Sequence, residues 1–463
     1  RSIMTTTTPP PRTAVPSSRM GIMLVLMLVL VCGQSVIAAV PDPTSLHQAR
    51  KTLVVLGAGA TEKTHSGLLA SLRTRSDGHG GTMEVVKSKE AAAKSFHFRK
   101  WDRWSYDSLV LLAPDLTHLG GEKLAGVVND FVLSGRSVML TGSDEMSSEV
   151  RDLAKLLGVS FHESFVDGGS KNTRVLDFFQ NDGGHAEQIL ATGYADDAGA
   201  ILSDAAKKKP LLWSGVGSSL GDDNPLAAGA VRAHSTSFCP TRKGFMSKKK
   251  GMGRFVGAQI SLVSVVQARN NARAVVTGSI DMLSDASRRP ETSNAAVCED
   301  LTDWVLGYKS LLRQRDFSHA LVEGQGVPGQ TQEVYRIKDK LRVTTRVEEW
   351  SAAKQAWLPF GREDLQVEFT MLDPHLRKTF SKDLQGTYVA DVTAPDVYGV
   401  FKFVVDYNRV GYSYIHFEEQ VPIRPYRHDE YERFIVAAYP YYASIFSTMG
   451  AFFLFGLSVL YTK

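Results

Sequence analysis

The sequence predicts an α/β region with a mostly parallel sheet, then an antiparallel β-sandwich next to a membrane, then one C-terminal transmembrane helix. Three observations predict it. Continuous apolar runs at 52–56, 109–113 and 137–141 alternate with amphipathic stretches in the N-terminal two thirds. After the cluster Gly324, Gly326, Pro328 and Gly329 the apolar period changes to two. Finally, residues 443–461 contain no Asp, Glu, Lys or Arg.

Strands buried on both faces read as unbroken apolar runs, and the amphipathic helices between them cover a parallel sheet. Helical spacing appears at 61–73, and again where Leu124, Val127, Val128, Phe131 and Val132 share one face. Runs at 260–266 and 274–277 repeat the strand pattern, and 297–306 reads as a helix. Pattern alone leaves open whether 50–310 is one sheet or two subdomains divided near 161–209. Residues 311–330 read as a linker. Beyond it, 331–349, 366–372, 400–407 and 412–421 alternate as strands without a convincing helix, which fits a sandwich over 331–425. A juxtamembrane stretch, 426–442, then leads to a membrane helix at 443–461.

Nineteen residues at a rise of about 1.5 Å span roughly 28 Å, close to the hydrocarbon thickness of a bilayer. Tyr439, Tyr441 and Tyr442 precede the segment, where amphipathic rings favour the headgroup level. Ala443, Ser444, Ser447, Gly450 and Gly456 are small enough to allow close helix packing in lipid. At the other end, residues 1–39 read as a leader. Met20 is a credible initiator, followed by an apolar run at 22–31 and the small pair Ala38-Ala39, the pattern of a cleaved secretory signal. Signal and stop-transfer together put the body on the translocated side. Arg424, Arg427 and Arg433 on that side, against Lys463 on the other, run counter to the positive-inside rule, but signal-led translocation commits the body first.

Composition narrows the function classes. With 43% hydrophobic and 22% charged residues the chain is an ordinary globular one. Arg1, Arg12 and Arg19 in the leader account for three of its +4 formal charges, so no basic face remains to argue for nucleic acid. Cys32 lies in the leader. Cys239 and Cys298 are left either to pair or to remain as buried thiols.

The search for chemistry finds fragments. Gly57-Ala58-Gly59 follows a strand and precedes a helix, but Glu62 stands where a dinucleotide fingerprint needs its third glycine. Gly-Lys-Ser/Thr, His-Glu-x-x-His and Cys-x-x-Cys are all absent, and Gly215-Val216-Gly217-Ser218 reads as a loop. The acidic pairs Asp222-Asp223, Glu348-Glu349 and Glu418-Glu419 read as surface charge, as do the lysine runs at 207–209 and 248–250. No catalytic, cofactor-binding or metal-ligating set emerges.

The stretches PDVYGVFKFVVDYNRVGYSY (395–414) and YERFIVAAYPYYAS (431–444) resemble the non-catalytic 48-kilodalton type I membrane subunit of eukaryotic oligosaccharyltransferase. QARNNARAVVTGSIDMLSD (267–285) and KTLVVL with THSGLLASL (51–56 and 64–72) add weaker matches upstream. The resemblance implies an accessory role in attaching dolichyl-diphosphate-linked oligosaccharide to Asn of Asn-x-Ser/Thr in nascent proteins. It implies an endoplasmic-reticulum membrane location with the bulk lumenal. Its implied partners are a catalytic subunit, ribophorin-type subunits, a small membrane subunit and membrane lipid. The catalytic subunit's Trp-Trp-Asp motif has no counterpart, and Trp101-Asp102-Arg103-Trp104 is no substitute. Family members commonly end in a short Lys-containing tail, whereas this sequence stops at Tyr461-Thr462-Lys463, and the Gly57–Gly59 turn replaces a more polar one. No Asn-x-Ser/Thr occurs, so the chain itself is expected to be unglycosylated. The competing reading is a membrane-anchored lumenal hydrolase or amidotransferase-like enzyme that uses the α/β region.

Overall fold

The structure, a computed structural model, describes residues 50–462 except 79, 167–168, 196–198, 222–223, 241–254, 325, 352–353, 355, 384–385 and 432–434. The expected leader, Asp222-Asp223, the lysine run at 248–250 and Arg433 lie outside the described residues. The chain forms two compact units. One comprises residues up to Leu311 with Ser351–Lys354 and Arg409–Ser413; the other comprises Leu312–Trp350, Gln355–Asn408 and Tyr414–Lys463.

The first unit is built on β1 (Lys51–Leu56), α1 (Ser66–Gly78), β2 (Thr82–Lys87), β3 (Ser108–Leu112), α2 (Leu124–Leu133), β4 (Ser137–Thr141), α3 (Ser148–Leu156) and β5 (Val159–Phe161). It continues with β6 (Gly193–Tyr194), β7 (Ser218–Leu220), β8 (Ala227–Arg232), β9 (Ser261–Gln267), β10 (Arg273–Thr277) and α4 (Asn294–Val305). The strands form one ten-stranded sheet in the order β6-β8-β9-β10-β4-β3-β1-β2, with β7 on β9 and β5 on β7. The open question of two subdomains resolves to one sheet, because β5 and β7, from opposite sides of the suspected division, pair with each other in it.

Period-two alternation sorts the strand residues between two cores. Val54, Leu56, Val110, Leu112 and Met139 face α1 and α4, meeting Leu68, Leu72, Leu301 and Trp304. Leu53, Val55, Leu109, Leu111 and Leu140 face α2 and α3, meeting Val128, Phe131, Val150 and Leu153. Each large apolar side chain that these two layers remove from water contributes about 1.5–3 kcal/mol.

The expectation of a mostly parallel sheet holds for one half only. β2, β1, β3, β4 and β10 are parallel, whereas β10, β9, β8 and β6 are antiparallel. The reason is connection length. Only residues 268–272 join β9 to β10, with Asn271 turning at φ +63°, and parallel neighbours need a crossover of a dozen residues or more.

The second unit contains two sheets: β11 (Leu312–Glu323), β13 (Lys340–Ser351), β18 (Thr387–Thr393) and β17 (Ser381–Lys382) in that order, with β14 (Ala356–Pro359) on β13. The other runs β12 (Tyr335–Arg336), β20 (Ile415–Arg424), β19 (Gly399–Tyr407), β15 (Gln366–Thr370), β16 (Pro374–Thr379). Buried alternate residues such as Leu341, Val343, Val347 and Phe401, Phe403, Val405 line the layer between them, and Phe317 and His319 of one sheet meet Phe403 of the other. The linker expected at 311–330 is corrected here. Leu312–Glu323 is a twelve-residue strand paired with β13, and only the Gly/Pro cluster at 324–329 is a turn. Its charge-rich run RQRD hides the alternation, which an edge strand tolerates because one flank stays in water. The chain ends in α5 (Tyr439–Tyr461).

One feature of the first unit is strained. Arg99-Lys100 pairs with Arg103-Trp104 across a two-residue turn in which Trp101 (φ +50°) and Asp102 (φ +64°) both adopt left-handed backbone. Asn-Gly is the pair that such a primed turn favours. Replacing Trp101-Asp102 by Asn-Gly is therefore expected to stabilise the first unit by about 1 kcal/mol, read as a raised thermal midpoint in detergent. The exposed Asp102–Arg99 ion pair lost in the exchange contributes little.

Candidate functional site

In the parallel half of the sheet the chain passes from β1 outward to β2 in one direction and to β3 in the other. The crevice beyond the carboxyl ends of β1 and β3 is therefore the topological switch point, where open α/β sheets bind ligands. A cavity of about 330 Å³ lies there. Ala58 and Gly59 follow β1, Pro114 and Asp115 follow β3, Ser143 to Glu145 follow β4, and Gly278 to Asp281 follow β10.

Close backbone approach shapes this end. A Cβ on Gly57 would fall 2.3 Å from Asp115 Oδ1, and one on Gly278 only 1.8 Å from Val216 O. In the glycine-rich turn expected at Gly57–Gly59, Gly57 is thus explained by crowding between two strand exits, whereas a Cβ on Gly59 would meet only Ile280 at an ordinary 3.7 Å. The loop Gly215–Ser218 likewise lies against the end of β10, with Val216 N donating to Gly278 O at 2.9 Å.

The electrostatics disfavour a nucleotide. Asp115, Asp144, Glu145 and Asp281 line the cavity, and Arg174, the one cation among its described lining residues, donates to Asp144 and, at 2.6 Å, to Glu187. The N-terminus of α1, where a dinucleotide-binding fold seats its pyrophosphate, already holds an anion. Asp285 accepts from Ser66 N at 2.8 Å, Gly67 N at 2.9 Å and Ser66 Oγ at 2.7 Å. Burial works against the Asp285 carboxylate, but these hydrogen bonds outweigh it and hold its pKa below the usual carboxylate value. Sequence reasoning missed this cap because Asp285 lies 219 positions from Ser66.

Among the described residues the cavity lining includes Ser143, Ser214 and Ser279 but no histidine, cysteine, lysine or tyrosine. Ser279 Oγ donates to Ser214 O at 2.5 Å. Cys239 and Cys298 are not disulfide-bonded. Burial pushes both thiols up to about 12, leaving almost no thiolate at neutral pH. His65, at the start of α1, is buried between Thr64 Oγ1 (2.8 Å) and Ile280 O (3.4 Å), and desolvation lowers its pKa. Among the described residues no three His, Cys, Asp or Glu side chains converge as a metal site would require. Glu348 pairs with Arg313 at 2.7 Å, Glu418 with Lys402 at 3.2 Å, and Glu419 lies 3.4 Å from His319 Nε2.

Sequence reasoning also missed Arg273, which is buried at the start of β10. Its guanidinium donates to Trp304 O, Lys309 O and Ser310 O at 2.7–3.0 Å and lies over the Trp304 ring at 5.0 Å. Burial, with help from the charge of Arg50, pushes its pKa down to about 9. Arg50 donates to Leu306 O. The two arginines thus bind carbonyls at and just beyond the C-terminus of α4, among them Trp304 O, which also accepts from Gly307 N at 3.1 Å.

The remaining candidates lie on α5. Residues Val436–Tyr461 are long and apolar enough to cross a membrane, and the most apolar window of that segment is wholly uncovered by the rest of the chain. Tyr439, Tyr441 and Tyr442 occupy the first turn and are exposed. The five small residues do not share one stripe. At roughly 100° per residue Ala443, Ser447 and Gly450 fall in one sector, Ser444 about 100° away and Gly456 on the far side. The hydroxyls of Ser444, Ser447 and Thr448 donate to Tyr441 O and Ser444 O at 2.7–2.9 Å, so none needs an outside partner. Before the helix, Arg424 Nη1 and Nη2 each donate to Glu430 at 2.8 Å, and Arg427 N donates to the same carboxylate at 2.9 Å.

An α/β unit, a β-sandwich unit and one uncovered apolar helix define a two-unit chain with a C-terminal segment fit to cross a bilayer. Residues 44–308 match the family model for the OST48 N-terminal domain and residues 319–463 that for the OST48 middle domain; the chain belongs to the OST48 family. It is 32% identical to the dolichyl-diphosphooligosaccharide–protein glycosyltransferase 48 kDa subunit of Arabidopsis thaliana, over 92% of this chain and 95% of that one. The subunits of the same name from Caenorhabditis elegans and Danio rerio are also 32% identical, over 90% and 89% of this chain and 92% of each of theirs. A ThuA-like protein from Parabacteroides merdae aligns over 56% of this chain and 90% of its own with 14% identity, but its TM-score of 0.29 carries no argument.

Two outcomes follow for this part of the molecule. Asp285→Ala should destabilise the first unit by about 1–2 kcal/mol, measured as a drop in thermal midpoint, because it uncaps α1. The hydrogen bonds from Arg424 hold the Glu430 carboxyl down at about 2. Its contribution is therefore complete above the ordinary glutamate pKa of about 4.3 and is lost as pH falls towards 2. Hydrogen exchange at Arg427 should rise across that interval and be independent of pH, after intrinsic-rate correction, in Glu430→Gln.

Proposed function

We propose that this chain is an accessory subunit of an oligosaccharyltransferase complex, serving transfer of dolichyl-diphosphate-linked oligosaccharide to Asn of Asn-x-Ser/Thr in nascent proteins. Family membership across both units carries the reading, since the relatives it matches nearly end to end bear that subunit's name. The chain is a single-pass type I protein of the endoplasmic-reticulum membrane, with its body in the lumen and α5 as its anchor. The signal pattern of the sequence and the uncovered apolar helix support this. In this arrangement 1–39 is the leader, 50–310 the α/β domain, 331–425 the core of the sandwich, 426–442 the juxtamembrane stretch and 443–461 the anchor.

The subunit is non-catalytic in this reading. The relatives' name as one subunit of a larger glycosyltransferase supports that assignment. The chain holds together a catalytic subunit, ribophorin-type subunits and a small membrane subunit. Tyr439, Tyr441 and Tyr442 anchor the helix at the headgroup level, while Ala443, Ser447 and Gly450 offer the closest approach to a neighbouring helix.

Affinity purification of the tagged full chain in a gentle detergent should recover the catalytic subunit. Recovery of a free monomer would overturn the proposal. Depletion of the chain should leave secreted glycoproteins with unoccupied sequons, read by mass spectrometry, and unchanged occupancy would count against it.

A further inference from the structure

The second unit carries apolar side chains where turns ordinarily carry polar ones. Leu372, in the β15–β16 turn, is 92% exposed, and Met371 beside it is 40% exposed. Tyr398 is 67% exposed and Val397 49% exposed in the segment leading into β19, and Val400, the second residue of β19, is 56% exposed. A folded chain gains nothing internally from a leucine in that position, and contiguous exposed apolar surface marks an interaction site.

These residues gather at one end of the sandwich. Thr370 pairs with Lys402, so the β15–β16 turn lies beside the start of β19, and a Cβ on Gly399 would sit 2.9 Å from Met371 Sδ. Gly399 in turn pairs with Ile423, at the end of β20 from which the chain leaves for α5. Lys338 and Asp396, at the same end, neutralise each other at 3.1 Å, which lowers the charge beside the patch.

The tether then limits how far this end stands from a membrane. Arg424, the last residue of β20, is clasped to Glu430, so the chain is still held at this end at residue 430. Five residues, 431–435, separate the clasp from Val436, where the span-length segment begins. Even fully extended they reach only about 20 Å. The headgroup layer on each side of the hydrocarbon adds roughly 5–7 Å of that distance.

We propose that Leu372 and Tyr398, with Met371, Val397 and Val400, form an apolar cap that inserts into the interfacial layer of the same bilayer that α5 crosses, so that the sandwich rests on lipid at two places. The ligand is the neutral headgroup–acyl boundary of a phospholipid surface, because the contact is made by uncharged side chains. The inference rests on the reading of α5 as the anchor and adds a second membrane contact to it.

The test uses the full chain reconstituted into phosphatidylcholine nanodiscs. Leu372→Cys and Tyr398→Cys are labelled at pH 7 with an environment-sensitive NBD fluorophore. The parent chain sets the background, which is low because burial holds the Cys239 and Cys298 thiols up at about 12. Asp406→Cys, exposed at the other end of β19 where Asp406 pairs with His416, is the aqueous control, and Phe452→Cys in α5 reports the anchor. The labels at 372 and 398 should be quenched severalfold more strongly than that at 406 by phosphatidylcholine bearing a nitroxide near its headgroup. They should also be severalfold less accessible to iodide. Iodide quenching equal to that at 406 would overturn the proposal, as would protection from both quenchers, which would indicate protein rather than lipid over the cap. If the label at 452 responds to a nitroxide deep in the acyl chains while 372 and 398 do not respond to the shallow one, only the cap fails. If 452 does not respond, the anchor reading fails first.

Discussion

The constraint on which the first unit depends is the burial of its parallel strands on both faces. A strand such as Ser108–Leu112 or Ser137–Thr141 has no solvent side, so each needs a helical layer above and below, and the connections must supply those layers. The α1–α4 core and the α2–α3 core are consequences of that demand. So is the switch point, because a chain that winds outward from β1 in both directions leaves a crevice between β1 and β3. Where a short connection replaces a helix, as between β9 and β10, the sheet turns antiparallel.

That crevice is shaped like a ligand site while its charges point elsewhere. In a nucleotide-binding fold the first helix offers bare backbone N–H groups to a phosphate. Here Asp285 has taken them, and carboxylates rather than cations line the approach. The same architecture thus carries a different set of charges, and function depends on side chains placed on a fold rather than on the fold itself. The buried Arg273, bonded to carbonyls and stacked on Trp304, is likewise part of the scaffold: it fastens the start of β10 to the end of α4.

In the second unit the chain's route matters more than any single site. The sandwich closes around aromatic residues from both sheets, and the last strand delivers the chain to a short tether clasped by Arg424 and Glu430. An uncovered helix of 23 residues follows, in which the hydroxyls of Ser444, Ser447 and Thr448 donate to its own backbone. Such a helix is apolar enough for lipid, where those three donors would stay paired.

The sequence by itself determined the features that depend on local composition. Apolar runs placed β1, β3, β4 and β10, helical spacing placed α2, and the uncharged stretch placed α5, because periodicity and length are written along the chain. Family resemblance was legible in 395–414 for the same reason. Tertiary structure alone decided the rest. The strand Leu312–Glu323 was hidden by its charges until β13 lay beside it, and α1 began at Ser66 rather than near 61 because Asp285 caps it from a distant loop. The antiparallel half of the sheet, the buried Arg273 and the gathering of Leu372 and Tyr398 at one end of the sandwich all arise from contacts between residues far apart in the chain. A sequence read along its length carries no local mark of such contacts, since their energy exists only once the partners have met.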